Sequence, residues 1–239
     1  VERTAVLSGR AAVAVLDEAW REAGLDRIVP ERIGLVVGGS NLMAREQFLS
    51  LRDYAERLDF LPPRHGHVFL DTDICGLCAS QFPIRGFAHT IGAASASGAA
   101  AIVAAVEAVR SGRVDACIAL GALQDVSALD LQGFRALGAL GAGPVCRPMD
   151  TGHDGFLYGE ACAALVVTRP EHAGSTVYGR VLGTGFCTDG SRGPEPNSDG
   201  QVRAAQDALA AAGLTTADID YVNGHATGTP SGDDAELET

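Results

Sequence analysis

His89-Thr90-Ile91-Gly92-Ala93-Ala94-Ser95-Ala96-Ser97-Gly98 is the stretch whose reading decides the fold of this chain. An apolar, strand-like run from Phe87 to Ala93 meets a knot of small residues at Ser95. An alanine-rich helical segment then covers 96–112. The pattern predicts strand, sharp turn, helix. That geometry has chemical consequences. The first N–H groups of a helix lack intrahelical partners, and the dipole there favours negative charge. A thiol at such a position is activated. A serine hydroxyl is far less acidic and needs an adjacent general base. The plainer reading of Ser95 is a helix N-cap, a place serine suits well. Neither Ser95 nor Ser97 sits in the G-x-S-x-G frame of a hydrolase nucleophile.

Strands and helices alternate outward from this turn. Residues 5–24 have a helical apolar period that Gly24 stops, and the opening reads as an amphipathic helix interrupted by charges, not as a signal peptide. Arg32–Gly39 and Val114–Gly121 are short buried strands. Residues 42–60, 71–85 (capped by Asp71 or Thr72) and 125–140 read as helices, with a Pro62-Pro63 loop over 61–68. Ala161–Thr168, Val177–Cys187 and Ile219–Asn223 read as strands, and Ser198–Gly213 as a helix. This order predicts an α/β fold with a mostly parallel sheet. There is no fixed-period internal repeat.

The 239 residues suit one large domain or two, with 46% hydrophobic and 20% charged residues, as in a soluble globular chain. The net charge of −12 argues against nucleic-acid binding, although a local arginine patch can still meet an acidic protein. No apolar run is long enough to span a membrane. The six cysteines (75, 78, 117, 146, 162 and 187) read as reduced, buried small hydrophobes of a cytoplasmic protein. Cys75-Gly76-Leu77-Cys78 has zinc-like spacing, but no second C-x-x-C or close histidine pair completes four ligands. Two packed cysteines near a helix is the expected reading.

A second informative stretch lies downstream: Tyr221-Val222-Asn223-Gly224-His225-Ala226-Thr227-Gly228-Thr229-Pro230. Together with the Ser95 region it resembles the two signature regions of the β-ketoacyl synthase (ketosynthase) branch of the thiolase-like family. There the first region usually reads A-C-A-S-G and the second H-G-T-G-T-P. Cys146-Arg147-Pro148-Met149-Asp150, Asp154-Gly155-Phe156, Gly159-Glu160-Ala161, Asp189-Gly190, the Pro196–Gly200 loop and Gly232-Asp233 with Glu236 also fit in order. His225 follows Ser95 by 130 residues, similar to the family's spacing. Arg147 and Asp150 read as loop-pinning residues, not substrate contacts.

The resemblance implies a thiolase-like fold, with βαβαβ layers of mostly parallel sheet sandwiched by helices. It places Ser95 where the nucleophilic cysteine stands. It implies that His225 stabilises the enolate left when a malonyl thioester loses CO2, because an NH donor at the developing oxyanion lowers that barrier. Thr227 and Thr229 match threonines that hold the phosphopantetheine arm of an acyl carrier protein, which carries the substrate without a separate cofactor. Ala226 departs from the usual glycine. Ser-for-Cys versions resemble the malonyl-acyl carrier protein decarboxylases of polyketide β-branching cassettes, which feed an HMG-CoA-synthase-like enzyme. The expected activity is therefore malonyl- to acetyl-acyl carrier protein without chain elongation, by a homodimer. A serine-nucleophile acyltransferase or ester-forming enzyme, a non-catalytic partner subunit like a chain-length factor, and a plain α/β binding domain stay open. Residues 1–239 read as one ketosynthase-like region lacking the family's first strand and most of its C-terminal half, as a portion of a longer protein or as one half of a split one.

Overall fold

The computed structural model describes residues 5–239. They form two compact units, residues 5–128 with 160–179, and 129–159 with 180–239. The opening residues 1–4 of the predicted N-terminal segment lie outside the described residues.

The first unit is a three-layer α/β sandwich. Its sheet has the order β2-β1-β3-β4, with β1 Ile33–Gly38, β2 Phe87–Ile91, β3 Ala116–Gly121 and β4 Ala163–Thr168. β1 pairs in parallel with β2 and β3, and β4 runs antiparallel to β3, so the sheet is mostly parallel as expected. All six residues of β1 are buried, as a parallel strand covered on both faces requires. Alternation sorts the side chains. Leu35, Val37, Ile118 and Leu120 face a core with α1 (Leu7–Ala23), through Val13, Leu16 and Trp20. Ile74, Cys75 and Cys78 join the same core. Val36, Cys117 and Ala119 face Ala101, Ala105 and Val109 on the other side.

Between β1 and β2 come α2 (Ala44–Tyr54), a one-turn α3 (His65–Val68) and α4 (Asp73–Gln81); α5 (Ser97–Arg110) links β2 to β3. The predicted helix over 42–60 therefore ends at Tyr54, with a 3-10 turn at Leu58–Phe60 before the prolines. Asp71 does not cap α4. Its carboxylate instead accepts the backbone N–H groups of Asn41 and Leu42, at 2.9 and 2.8 Å. That steadies the turn after β1, where Asn41 has a φ of +56°.

The second unit holds α6 (Ala128–Ala136, from Leu129 on), α7 (Ser198–Ala212) and α8 (Pro230–Glu238). Asn197 caps α7 by accepting the Gly200 N–H, and Gly213 ends it at a φ of +69°. The strands expected at Val177–Cys187 and Ile219–Asn223 are not formed among the described residues. At the first, backbone packing against a helix takes the place of a ladder. Cβ atoms at Gly183 and Gly185 would sit on the Ala208 and Ala204 carbonyl oxygens of α7. The expectation of uniformly buried cysteines also needs correction. Cys187 is exposed, whereas Cys75, Cys78 and Cys117 are buried. All six are free thiols.

Candidate active-site elements

Ser95 sits beyond the carboxyl end of β2, where open α/β sheets place ligands. The turn that presents it is tight. Ala94 has a φ of +46°, an uncommon state for a residue with a Cβ. Ser97 holds it there. Its hydroxyl donates to the Ala94 carbonyl at 2.7 Å and accepts the Ala93 N–H at 2.8 Å. The Ala96 N–H closes on the Ala93 carbonyl at 2.9 Å. Helix α5 can come this close to the sheet because β1 ends in glycine. A Cβ at Gly38 would lie 2.3 Å from the Ser97 carbonyl oxygen.

The N-cap position of α5 is Ala96, so Ser95 does not cap the helix. Its side chain is exposed, and no hydrogen bond among the described residues uses its hydroxyl. The serine that stabilises the turn is Ser97. Sequence reasoning valued Ser97 only as a small residue, and its i to i−3 spacing from Ala94 was the available signal. No base within the first unit hydrogen-bonds Ser95, so an activated serine has no partner there.

His225, Thr227 and Thr229 belong to the second unit and share one loop. His225 is exposed, and the two threonines are half-buried. Thr227 and Thr229 hydroxyls hydrogen-bond each other at 2.9 Å, and Thr227 Oγ1 accepts the Thr229 N–H at 3.3 Å. Two hydroxyl protons serve this pair and one is used between them, leaving one to donate outward. Ala226 and Gly228 have φ of +45° and +82°.

Two carboxylates of α8 receive the loop's backbone. Glu236 accepts the N–H groups of both His225 and Ala226, the latter at 2.8 Å. Asp233 is fully buried; its Oδ1 accepts the Gly228 N–H at 3.0 Å. Its Oδ2 accepts the Met149 N–H at 2.6 Å and lies 3.2 Å from His153 Nδ1. Burial alone would raise the Asp233 carboxyl, but the Met149 and Gly228 amides and His153 hold it below its ordinary value. The Gly155 N–H also meets the Gly228 carbonyl, at 2.8 Å. Asp150 pins its own loop by accepting the Gly152 N–H at 2.7 Å, and the Arg147 carbonyl accepts the Asp150 N–H. Asp150 thus pins the loop with its side chain, as expected, whereas Arg147 takes part through its backbone carbonyl. Sequence reasoning gave Asp233 and Glu236 no individual role. Their signal was two acids three residues apart in the first turns of a helix beginning Thr-Pro.

The C-x-x-C pair is core packing. Cys75 and Cys78 lie on α4 against the sheet. Burial raises the Cys75 thiol, and burial with nearby Cys75 and Cys162 pushes Cys78 up to about 12. Among the described residues, no three His, Cys, Asp or Glu side chains converge on a metal position. No described helix is long and apolar enough to cross a membrane.

Comparison with known proteins agrees with these elements. The family "Beta-ketoacyl synthase, N-terminal domain" matches residues 4–173, and "Beta-ketoacyl synthase, C-terminal domain" matches 178–239. The polyketide biosynthesis malonyl-ACP decarboxylase PksF of Bacillus subtilis (strain 168) is 47% identical over 99% of this chain and 59% of its own length. A 3-oxoacyl-[acyl-carrier-protein] synthase 2 of Mycobacterium tuberculosis (strain ATCC 25618 / H37Rv) is 30% identical over 91% of this chain and 55% of its own. Among solved structures, the ishigamide ketosynthase/chain length factor superposes with a TM-score of 0.85 at 26% identity, over 97% of this chain and 60% of that one. A β-ketoacyl synthase from Burkholderia phymatum STM815 gives 0.82 at 26% identity, over 96% and 59%. The chain thus spans somewhat over half the length of the curated relatives it matches. With both domain families matched in order, and with the fold of the solved ketosynthases, the chain belongs to the β-ketoacyl synthase family.

Proposed function

We propose that this protein decarboxylates malonyl carried on an acyl carrier protein, giving the acetyl-carrier protein in polyketide biosynthesis without elongating it. Two observations carry the reading, each within its own unit: an exposed, unbonded Ser95 where the family places its thiol, and a His225 loop that is fully built. The likeness to a malonyl-ACP decarboxylase supports it.

Elongation needs acyl transfer to a thiolate and then decarboxylative condensation. A serine with no base in its own unit is a poor acyl acceptor, so the first half-reaction fails. Decarboxylation needs no nucleophile. The C–C bond to the malonyl carboxylate breaks, CO2 leaves, and its electron pair enters the thioester as an enolate. The His225 imidazole N–H donates to the oxyanion that develops. The enolate carbon then takes a proton from water or an acid, leaving acetyl on the carrier. Thr227 and Thr229 present hydroxyls to the phosphopantetheine arm. The substrate brings its own handle, and the reaction as written uses no separate cofactor.

In this reading the carrier protein is the partner, the enzyme works as a cytoplasmic homodimer, and an HMG-CoA-synthase-like enzyme consumes the acetyl product in β-branching. The test is mass spectrometry of malonyl-loaded carrier protein incubated with the full-length protein and its His225→Ala variant. The expected result is conversion to acetyl-carrier protein, falling about 100-fold or more in the variant. Persistent malonyl with an acyl group on Ser95 would make the protein an acyltransferase. If neither carrier nor enzyme changes, a non-catalytic partner subunit is the better description.

A further inference from the structure

We propose that Arg45 and Asp125 are specificity-determining residues that close the crevice between the carboxyl ends of β1 and β3 against an alkyl chain, an inference that rests on the decarboxylase reading. Topology places the crevice. In the order β2-β1-β3-β4, β2 lies on one side of β1 and β3 on the other. The three strands are parallel, so their carboxyl ends share one edge. Open α/β sheets hold ligands in the crevice where the strand order reverses, and here that is between β1 and β3. Ser95 stands one strand away on the same edge, beyond β2. An acyl group carried at position 95 would find room for its tail there.

In this chain the two exits are stitched together. The Ala122 N–H donates to the Gly38 carbonyl at 3.1 Å and carries the β1–β3 seam past the strand ends. The Arg45 N–H, in the first turn of α2, donates to the Asp125 carbonyl at 3.3 Å. Arg45 Nη1 then meets Asp125 Oδ1 at 3.1 Å. The surroundings are closed, with Leu42 and Met43 1% exposed and Asp125 and Ser127 4%. Stability does not explain the pair, because burying Asp125 costs desolvation that an apolar side chain would spare. Exclusion does explain it. An alkyl chain gains from burial against apolar walls, but here it would strip water from a guanidinium and crowd a buried carboxylate. Malonyl has no alkyl tail to house, so closure leaves it unaffected. The pair is a second bar to elongation, independent of the serine at 95.

The experiment offers acetyl- and octanoyl-carrier protein to a Ser95→Cys variant of the full-length protein and times acylation of the introduced thiol by mass spectrometry. Acetyl should load about ten-fold or more faster than octanoyl. Adding Arg45→Ala and Asp125→Ala together should bring the two rates within about two-fold, by speeding octanoyl. With Ser95 intact, the same pair of substitutions should leave CO2 release from malonyl-carrier protein within about three-fold in kcat and in KM. Urea midpoints check that each variant is folded.

Equal loading of the two acyl groups on Ser95→Cys would overturn the proposal. So would a thiol that takes neither, since closure against long chains spares acetyl, or a ratio that the two alanines do not move. A KM for malonyl-carrier protein raised about ten-fold would also overturn it, by making Arg45 a substrate ligand. Should the doubly opened variant fail to fold, Asp125→Ala alone replaces it, because the half-exposed Arg45 can turn to solvent. Should neither fold, the acetyl-to-octanoyl ratio of Ser95→Cys decides. Should the unmodified protein release no CO2, the decarboxylase reading falls, and the acyl-length ratio by itself decides whether the crevice is closed.

Discussion

Serine and cysteine differ by one atom at position 95, and that atom governs how much the start of α5 can do for the side chain. The helix dipole lowers a thiol into its reactive range but leaves an alcohol protonated. In a Ser95→Cys variant, the introduced thiol should react with iodoacetamide at pH 7 about five-fold or more faster than Cys187. Cys187 is exposed and lies outside any helix, so it serves as internal reference. Cys78 and Cys117, each pushed up to about 12, first of all by burial, should stay unlabelled. Equal rates at the introduced thiol and Cys187, read by peptide mass spectrometry, would show that the turn does not polarise its occupant. Ala226 poses a second one-residue question. At a φ of +45° its Cβ is strained. Ala226→Gly should stabilise the protein by about 0.5–1 kcal/mol, measured from urea midpoints, despite glycine's larger unfolded-state entropy.

At the scale of elements, the first turn of α5 meets the end of β1 backbone to backbone at Gly38. β1 ends level with its neighbours, Gly38 pairing with Ile91 on one side and Gly121 on the other. A Cβ at Gly38 would lie 2.3 Å from a backbone oxygen of α5, and no rotamer relieves a clash between two backbones. Gly38→Ala should therefore cost about 2–3 kcal/mol and loosen the turn that carries Ser95. Gly121→Ala is the matched control, because its Cβ would meet only Ala163 O at 3.8 Å, an ordinary contact. Chemical denaturation of the pair checks this. Such contacts mark the limit of what the sequence made legible. Helices α1 and α7 could be read because their apolar period stops at Gly24 and Gly213, both at positive φ. β1 could be read as a short β-branched run, β3 as a short apolar one, and the turn at Ser95 as a cluster of small residues. The segments 177–187 and 219–223 looked like strands by composition, but a strand exists only with a ladder partner, which composition does not supply. Within the site, Ser95, His225, Thr227 and Thr229 were visible as motif positions. Asp233 was not visible as the hub of its loop, because its partner Met149 is 84 residues away.

At the scale of the whole molecule, the titrating groups act together and shape stability against pH. On the acid side, burial and then Arg113 lower His89. Below about pH 6.5 the unfolded chain takes up a proton that folded His89 refuses, so stability begins to fall. Asp115 is lowered by its hydrogen bond to Arg32, 2.6 Å away, and Asp233 by the amides that meet it. Their stabilisation is complete above the unfolded carboxylate value near about 4, and it drains as pH falls through their lower folded values. On the alkaline side the sign reverses for a different reason. Burial raises the thiols of Cys75 and Cys162, and pushes Cys78 and Cys117 to about 12. Above about pH 8.5 the unfolded chain releases thiol protons that the folded chain retains, so stability falls as pH rises. The expected profile is a plateau near about pH 7–8 with a decline on each side. Urea midpoints between about pH 3 and 10 measure it. Asp115→Asn should flatten the acid limb, and Cys117→Ala the alkaline one, whatever each does to the height of the plateau. A protein that grew more stable above about pH 9 would contradict the burial of these thiols in the core that carries β3.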